Sequence, residues 1–198
     1  MTKITNEYWD SRYRSGETGW DIGKVSPPLK AYFDQLEHDK SIKILIPGCG
    51  RAHEADYLLQ NDFNQVFILD WSNLALEKVK QRFPDIPDQQ LICQDFFEHD
   101  NKYDLIVEQT FFCSLDPSLR FRYAKKMHQL LKTDGKLAGL LFDDPLFDTH
   151  PPYGGNAAEY KSVFSTCFDI QNMTPCYNSI PQRKDRELFI ILKPKLKC

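Results

Sequence analysis

The stretch IPGCGRAHEADYL carries a Gly-x-Gly turn, Gly48 and Gly50, between a short apolar run and a segment with helical spacing. A turn without side chains lets a ligand approach the backbone N–H groups at the start of the following helix. Asp70 ends the next apolar run about 20 residues after Gly50, where a carboxylate can accept hydrogen bonds from both hydroxyls of a ribose. Asp95 ends a third apolar run and is followed by Phe96 and Phe97, so a carboxylate and a ring are available to bond and stack on an adenine. Taken singly, these residues read equally well as a tight turn, a helix cap and a loop residue. Together, at the C-termini of successive strands, they point to one crevice that recognises a nucleoside.

Holding them there requires a particular order of elements. Strand signals fall at 43–46, 65–70, 90–95 and 103–109, and again in KLAGLLF at 136–142, with helical spacing between them. Ser72 is placed to cap a helix running to about residue 83. Asp116 and Pro117 are placed to open another, which an Asp134–Gly135 turn would end. Asn156, with Glu159 three residues on, reads as a further cap. Ahead of the first strand the spacing predicts a helix near 6–14, a glycine-containing loop, and a second helix capped by Ser26 with Pro27 in its first turn. Two last strands, near 168–176 and 187–192, have no helix between them and should pair antiparallel. The alternation implies an α/β fold: a mostly parallel seven-stranded sheet with a C-terminal antiparallel hairpin and helices on both faces.

That ending is not the dinucleotide arrangement, and the dinucleotide fingerprint would need a glycine at position 53, where the chain has His53. No Walker lysine follows the turn, which argues against ATP hydrolysis. S-adenosylmethionine fits both observations.

Composition narrows the partners. The 198 residues predict a single domain over 1–198, and 41% apolar residues are enough for a substantial core. The net charge of −3, with no Lys/Arg block, argues against a nucleic-acid partner. The longest apolar run, near 137–142, is too short to span a bilayer, the N-terminus has no apolar signal region, and KLKC ends on its cysteine and so is no prenylation box. The expectation is a cytoplasmic protein with a small-molecule substrate and no nucleic-acid or membrane partner, of an oligomeric state the sequence does not reveal. The six cysteines, Cys49, Cys93, Cys113, Cys167, Cys176 and Cys198, form no CxxC pair, and the five histidines show no HxH or HxxxH spacing. Buried free thiols and no metal are expected.

The stretches ILIPGCG, LDWS, CQDFF and LLKTDGKL resemble the Rossmann-like (class I) S-adenosylmethionine-dependent methyltransferases. ETGWDIG followed by PGCG, then EQTFFCSLDP, PPYGG and IPQRKDRE, is similar to the thiopurine methyltransferase family, and most to its halide/thiol methyltransferase branch. The resemblance covers nearly the whole chain. It implies S-adenosyl-L-methionine as cofactor and residues 1–40 as a helical lid segment, whose Trp9, Tyr13 and Trp20 close over that cofactor. It implies the remaining cofactor contacts at Gly48, Gly50, Asp70, Trp71, Ser72, Asp95 and Phe96, with Glu108 level with the transferred methyl.

Aromatic faces attract a sulfonium by roughly 0.5–2 kcal/mol each, which explains rings placed ahead of the fold. A thiol or halide acceptor needs no strong base; it needs to lose its water. Phe111, Phe112 and Tyr153 are candidates for that pocket, and Arg183, Lys184 or Arg186 for a weak positive field. The catalytic set is otherwise unassigned. An O- or N-methyltransferase would need a base, for which His150 is the candidate. A non-catalytic S-adenosylmethionine-binding protein and a NAD-dependent reductase are the remaining alternatives.

Overall fold

The computed structural model describes residues 4–36 and 39–198, so residues 1–3, 37 and 38 of the expected lid segment lie outside it. Seven strands form one sheet: β1 (Ile44–Pro47), β2 (Val66–Asp70), β3 (Leu91–Cys93), β4 (Tyr103–Gln109), β5 (Leu131–Phe142), β6 (Phe168–Pro175) and β7 (Glu187–Pro194), in the order β3-β2-β1-β4-β5-β7-β6. The β1–β2, β2–β3, β1–β4 and β4–β5 pairs are parallel. β7 runs antiparallel between β5 and β6. This is the mostly parallel sheet with a terminal antiparallel pair that the alternation implies.

Side chains that alternate along β1 bury on opposite faces. Ile44 and Ile46 pack with α2 (Pro27–Phe33), α3 (His53–Gln60) and α4 (Asn73–Arg82), under α1 (Asn6–Ser15). Leu45 packs with α5 (Arg120–Leu130) and α6 (Ala157–Phe164). Both faces being covered, the central strands read as continuous apolar runs.

The caps follow the sequence in part. The Ser72 hydroxyl accepts from Ala75 N–H, and the Asn156 side chain accepts from Glu159 N–H. The Ser26 hydroxyl makes no such bond; Ser26 N–H instead donates to Glu54 Oε1 at 3.1 Å, tying α2 to α3. Asp116 opens a 3₁₀ turn, Pro117–Leu119, before α5 begins. Asp134 and Gly135 end no helix: α5 stops at Leu130 and both residues lie inside β5, whose pairing with β4 shifts register near Tyr103. They fall in that register shift, between the Tyr103–Leu131 and Leu105–Lys136 pairs, without partners of their own on β4.

Two thiol expectations are corrected. Cys167 and Cys198 form a disulfide, where the chain end folds back onto β6 and Lys195 N–H donates to Cys167 O at 2.9 Å. Cys93 is free but exposed, at the end of an edge strand; Cys49, Cys113 and Cys176 are buried and free. No helix among the described residues is long and apolar enough to cross a membrane.

Candidate active site

Strand order reverses at β1, whose neighbours are β2 and β4, and a crevice opens over the carboxyl ends of these strands. A cavity of about 870 Å³ lies there. The Gly48–Gly50 turn, Asp70, Trp71, Asp95 and Phe96 line its floor; Trp9, Tyr13 and Trp20 its roof; Phe111, Tyr153, Arg183 and Arg186 its far wall. Three successive strand ends thus meet in one place.

The glycines are required by conformation and space. Gly48 has φ +59°, and a Cβ there would stand 2.3 Å from Phe111 Cδ2. Gly50 has φ +57°, and a Cβ would point at Trp20 Nε1 and the Tyr13 hydroxyl, at 3.5 and 3.6 Å. Asp70 is 7% exposed. Its Oδ2 accepts from Gly50 N–H at 3.1 Å and its Oδ1 from Ser72 N–H at 2.8 Å. Burial pushes its carboxyl above the usual range. Asp95 Oδ1 accepts from Phe97 N–H at 2.8 Å and so fixes the turn that carries Phe96.

The roof is an aromatic cluster. Trp20 meets Trp9 and Tyr13 edge to face, at 5.6 and 5.8 Å between ring centres. Several polar contacts hold it down. The Ser72 hydroxyl donates to Asp10 on α1. Asp21 accepts from Gly23 N–H, pairs with His53 at 2.8 Å, and pairs with Arg51 at 2.7 Å. Burial pushes the Asp21 carboxyl up, but these partners outweigh it and leave the group below its usual range.

Several predicted site residues do not reach the cavity. Ser72 is fully buried as the α4 cap. Glu108 is fully buried beneath the wall: its Oε1 accepts from Phe111 N–H and Phe112 N–H, each at 2.8 Å, and its Oε2 accepts from the Tyr123 hydroxyl. Burial pushes its carboxyl up to about 7 against those three donors. Phe112 points away from the cavity into the core, against Tyr123, Tyr160 and Phe164. Lys184 and His150 are exposed and outside the lining. Arg183 and Arg186 line the cavity, but their charges are matched by Glu187 and Asp144.

Reading the sequence missed other lining residues, among them Tyr8, Arg12, Phe142 and Phe147. Tyr8 and Arg12 had a signal available: they stand beside Trp9 and Tyr13 at helical spacing on α1. Phe142 and Phe147 had none, because they belong to a strand end and a loop that the fold brings to the cavity.

The floor suits a nucleoside with a charged side arm. It offers an oriented carboxylate at Asp70, a second at Asp95, the Phe96 ring, and a side-chain-free turn at Gly50, under rings that can face a cation. The sequence profile of the Thiopurine S-methyltransferase (TPMT) family matches residues 4–190. The chain belongs to the thiopurine S-methyltransferase family. It is therefore an S-adenosylmethionine-dependent methyltransferase, and S-adenosylmethionine is its methyl donor. The chain is 32% identical over 168 residues to "Probable thiol methyltransferase 2" of Arabidopsis thaliana, covering 82% of this chain and 74% of that one. It is 31% identical over 185 residues to "Thiocyanate methyltransferase 1" of Brassica oleracea, covering 90% and 81%. Both names agree with the halide/thiol side of the family that the motifs resemble. In fold the chain is similar to the Burkholderia thailandensis 1,6-didemethyltoxoflavin-N1-methyltransferase, with a TM-score of 0.75 at 16% identity, covering 96% of this chain and 87% of that one.

Proposed function

We propose that this family member methylates a small soft nucleophile, a thiol or a halide, in the cavity between the aromatic roof and the Phe111 wall. The observation that carries the reading is the chemistry of that wall. Phe111, Phe142, Phe147 and Tyr153 surround the acceptor side with apolar and aromatic surface, which strips water from an incoming nucleophile. The carboxylates of the lining are engaged with backbone N–H groups: Asp70 with Gly50 and Ser72, Asp95 with Phe97, Asp116 with Ser118. The Ser118 hydroxyl and N–H hold the Asp116 carboxyl below its usual range, which makes it a poor base. His150 lies outside, against Phe147, with its Nδ1 2.9 Å from Pro151 O. These features favour an acceptor that brings its own lone pair. The names of the thiol and thiocyanate methyltransferase relatives support the same reading.

In this reading Asp70 holds the ribose, Asp95 and Phe96 the adenine side, and Trp9, Tyr13 and Trp20 the sulfonium end. When bound, S-adenosylmethionine supplies an electrophilic methyl group on a positively charged sulfur. The three rings attract that charge and keep water from it. Phe111, held over Gly48, and Tyr153, whose N–H donates to Cys113 O at 2.7 Å, keep the acceptor side narrow and dry.

Incubating the protein with S-adenosylmethionine and a panel of thiols, hydrosulfide, thiocyanate and iodide, with mass-spectrometric detection, should yield S-methyl or methyl-halide products. Products methylated only on oxygen or nitrogen, from a parallel panel of alcohols and amines, would overturn the reading. Calorimetric titration should show saturable binding of S-adenosylhomocysteine and none of NAD.

The roof makes a separate claim. Trp20→Ala is expected to weaken S-adenosylmethionine binding by about tenfold and S-adenosylhomocysteine binding by less, because only the former carries the sulfonium charge. Its Tm should change little. A large fall in Tm with unaltered affinities would make these tryptophans scaffold.

A further inference from the structure

One side chain joins the aromatic roof to the far end of the chain. Arg183, in the loop before β7, is 7% exposed. Its Nη2 donates to the backbone carbonyl of Trp20 at 2.8 Å, across a sequence separation of 163 residues. Its Nη1 donates to Glu187 Oε1 at 3.2 Å, and Glu187, which opens β7, is 4% exposed. Its Cζ stands 5.3 Å from the centre of the Phe142 ring. The guanidinium is planar with donors in fixed directions, so seating it on Glu187 and Phe142 fixes the direction of the Nη2 N–H groups. One of them meets the Trp20 carbonyl. A charge-assisted bond sheltered from water belongs to the stronger class of hydrogen bond. The next residue, Asp21, is tied to Arg51 and His53 beside the glycine turn. The loop carrying Trp20 is thus held at one point to β7 and at the adjacent point to the end of β1.

We propose that Arg183 is a positioning residue that latches the aromatic segment over the cavity by holding the Trp20 carbonyl, with Glu187 as its anchor. Its effect on turnover rests on the methyltransferase reading above; the latch itself belongs to the free protein. In this proposal Arg183 positions the roof rather than receiving an anionic acceptor: its charge is matched by Glu187, and one N–H on each of its two Nη atoms is engaged within the chain.

Hydrogen–deuterium exchange on the full chain without ligand tests the latch. Arg183→Met alone would leave the Glu187 carboxylate buried without its partner, so the variant to use is Arg183→Met with Glu187→Gln. Exchange over residues 18–23 is expected to quicken by about tenfold or more, with residues 44–47 unchanged. KM for S-adenosylmethionine should rise and kcat fall, with KM for the acceptor nearly unaltered. Should the double variant fail to fold, Arg183→Lys carries the test. It keeps the charge beside Glu187 but loses the fork, and exchange over 18–23 should quicken by several-fold, on the order of threefold to fivefold. Unchanged exchange in a folded variant overturns the proposal, as does a rise in acceptor KM alone, which would make Arg183 an acceptor-binding residue. A wild-type chain that methylates nothing in the panel, yet shows the exchange difference, defeats the functional reading and leaves the latch standing.

Discussion

Asp70→Ala is expected to raise the dissociation constant for S-adenosylhomocysteine by about 100-fold, the equivalent of about 3 kcal/mol. Each charge-assisted bond that a hydroxyl donates to a carboxylate is worth roughly 1.5–3 kcal/mol, less what water recovers when the partner is removed. In this chain the substitution does more than delete an acceptor. Asp70 also receives Gly50 N–H and Ser72 N–H, so it holds the glycine turn and the start of α4 in register. Asp70→Asn keeps one oxygen acceptor and should lose less. Calorimetric titration measures both, with circular dichroism confirming the fold. A dissociation constant within about threefold of wild type, a shift of well under 1 kcal/mol, would remove Asp70 from the ribose site.

Glu108→Ala is expected to cost the fold several kcal/mol, about 3–6, a large share of the stability of a typical domain. Three donors point at this carboxylate from a fully buried position: Phe111 N–H, Phe112 N–H and the Tyr123 hydroxyl. Leaving each one unsatisfied costs roughly 1–3 kcal/mol. The Phe111 wall would loosen with the turn, so activity should fall alongside stability.

Glu108→Gln separates charge from shape. Burial raises the Glu108 carboxyl from an ordinary 4.5 to about 7 in the folded chain. A carboxyl raised on folding stabilises fully below its unfolded value, and that contribution is lost as pH rises through the folded value. Wild type should therefore lose up to about 3 kcal/mol relative to Glu108→Gln between pH 4.5 and pH 7.5. Urea unfolding of both proteins across that range measures the difference. A wild-type-minus-variant difference that stays flat with pH would show that the three donors hold Glu108 ionised throughout.

Much of this molecule can be read without coordinates. The apolar runs at 43–46, 65–70 and 103–109 are β1, β2 and β4, because strands buried on both faces write themselves as short continuous runs, and the run at 90–95 contains the half-buried edge strand β3. The absence of helical spacing between the last two strands implies their antiparallel pairing. That Gly48, Gly50, Asp70 and Asp95 line one cavity is legible in their spacing, since a strand's end is marked by its own residues and parallel strands bring successive ends to one edge of the sheet. The place of Trp9, Tyr13 and Trp20 in the same lining follows from the family resemblance, not from periodicity.

Where local signals competed with distant partners, the sequence misled. Asp134–Gly135 has turn chemistry, yet it ends no helix: it sits in the register shift of β5 between Leu131 and Lys136, which pair with Tyr103 and Leu105 of β4. Cys167 and Cys198 offer no spacing pattern, and only the return of the chain end onto β6 brings them together. Glu108, Phe111 and Phe112 lie in one short stretch, which read as sequence points all three at the site. The tertiary structure turns Phe111 into the cavity, Phe112 into the core, and Glu108 beneath both as their common acceptor.

By itself, then, the sequence determined the order of strands and helices, the strand-end crevice and the family, because periodicity, turn residues and motif spacing are properties of neighbours along the chain. The tertiary structure alone decided which way each side chain after β4 faces and which distant groups hold the roof. Arg183 reaches Trp20 across 163 residues because β7 runs antiparallel to β5, which sets the loop before β7 beside the carboxyl ends of the parallel strands. No spacing records such a contact, since it depends on where the whole sheet carries the two loops.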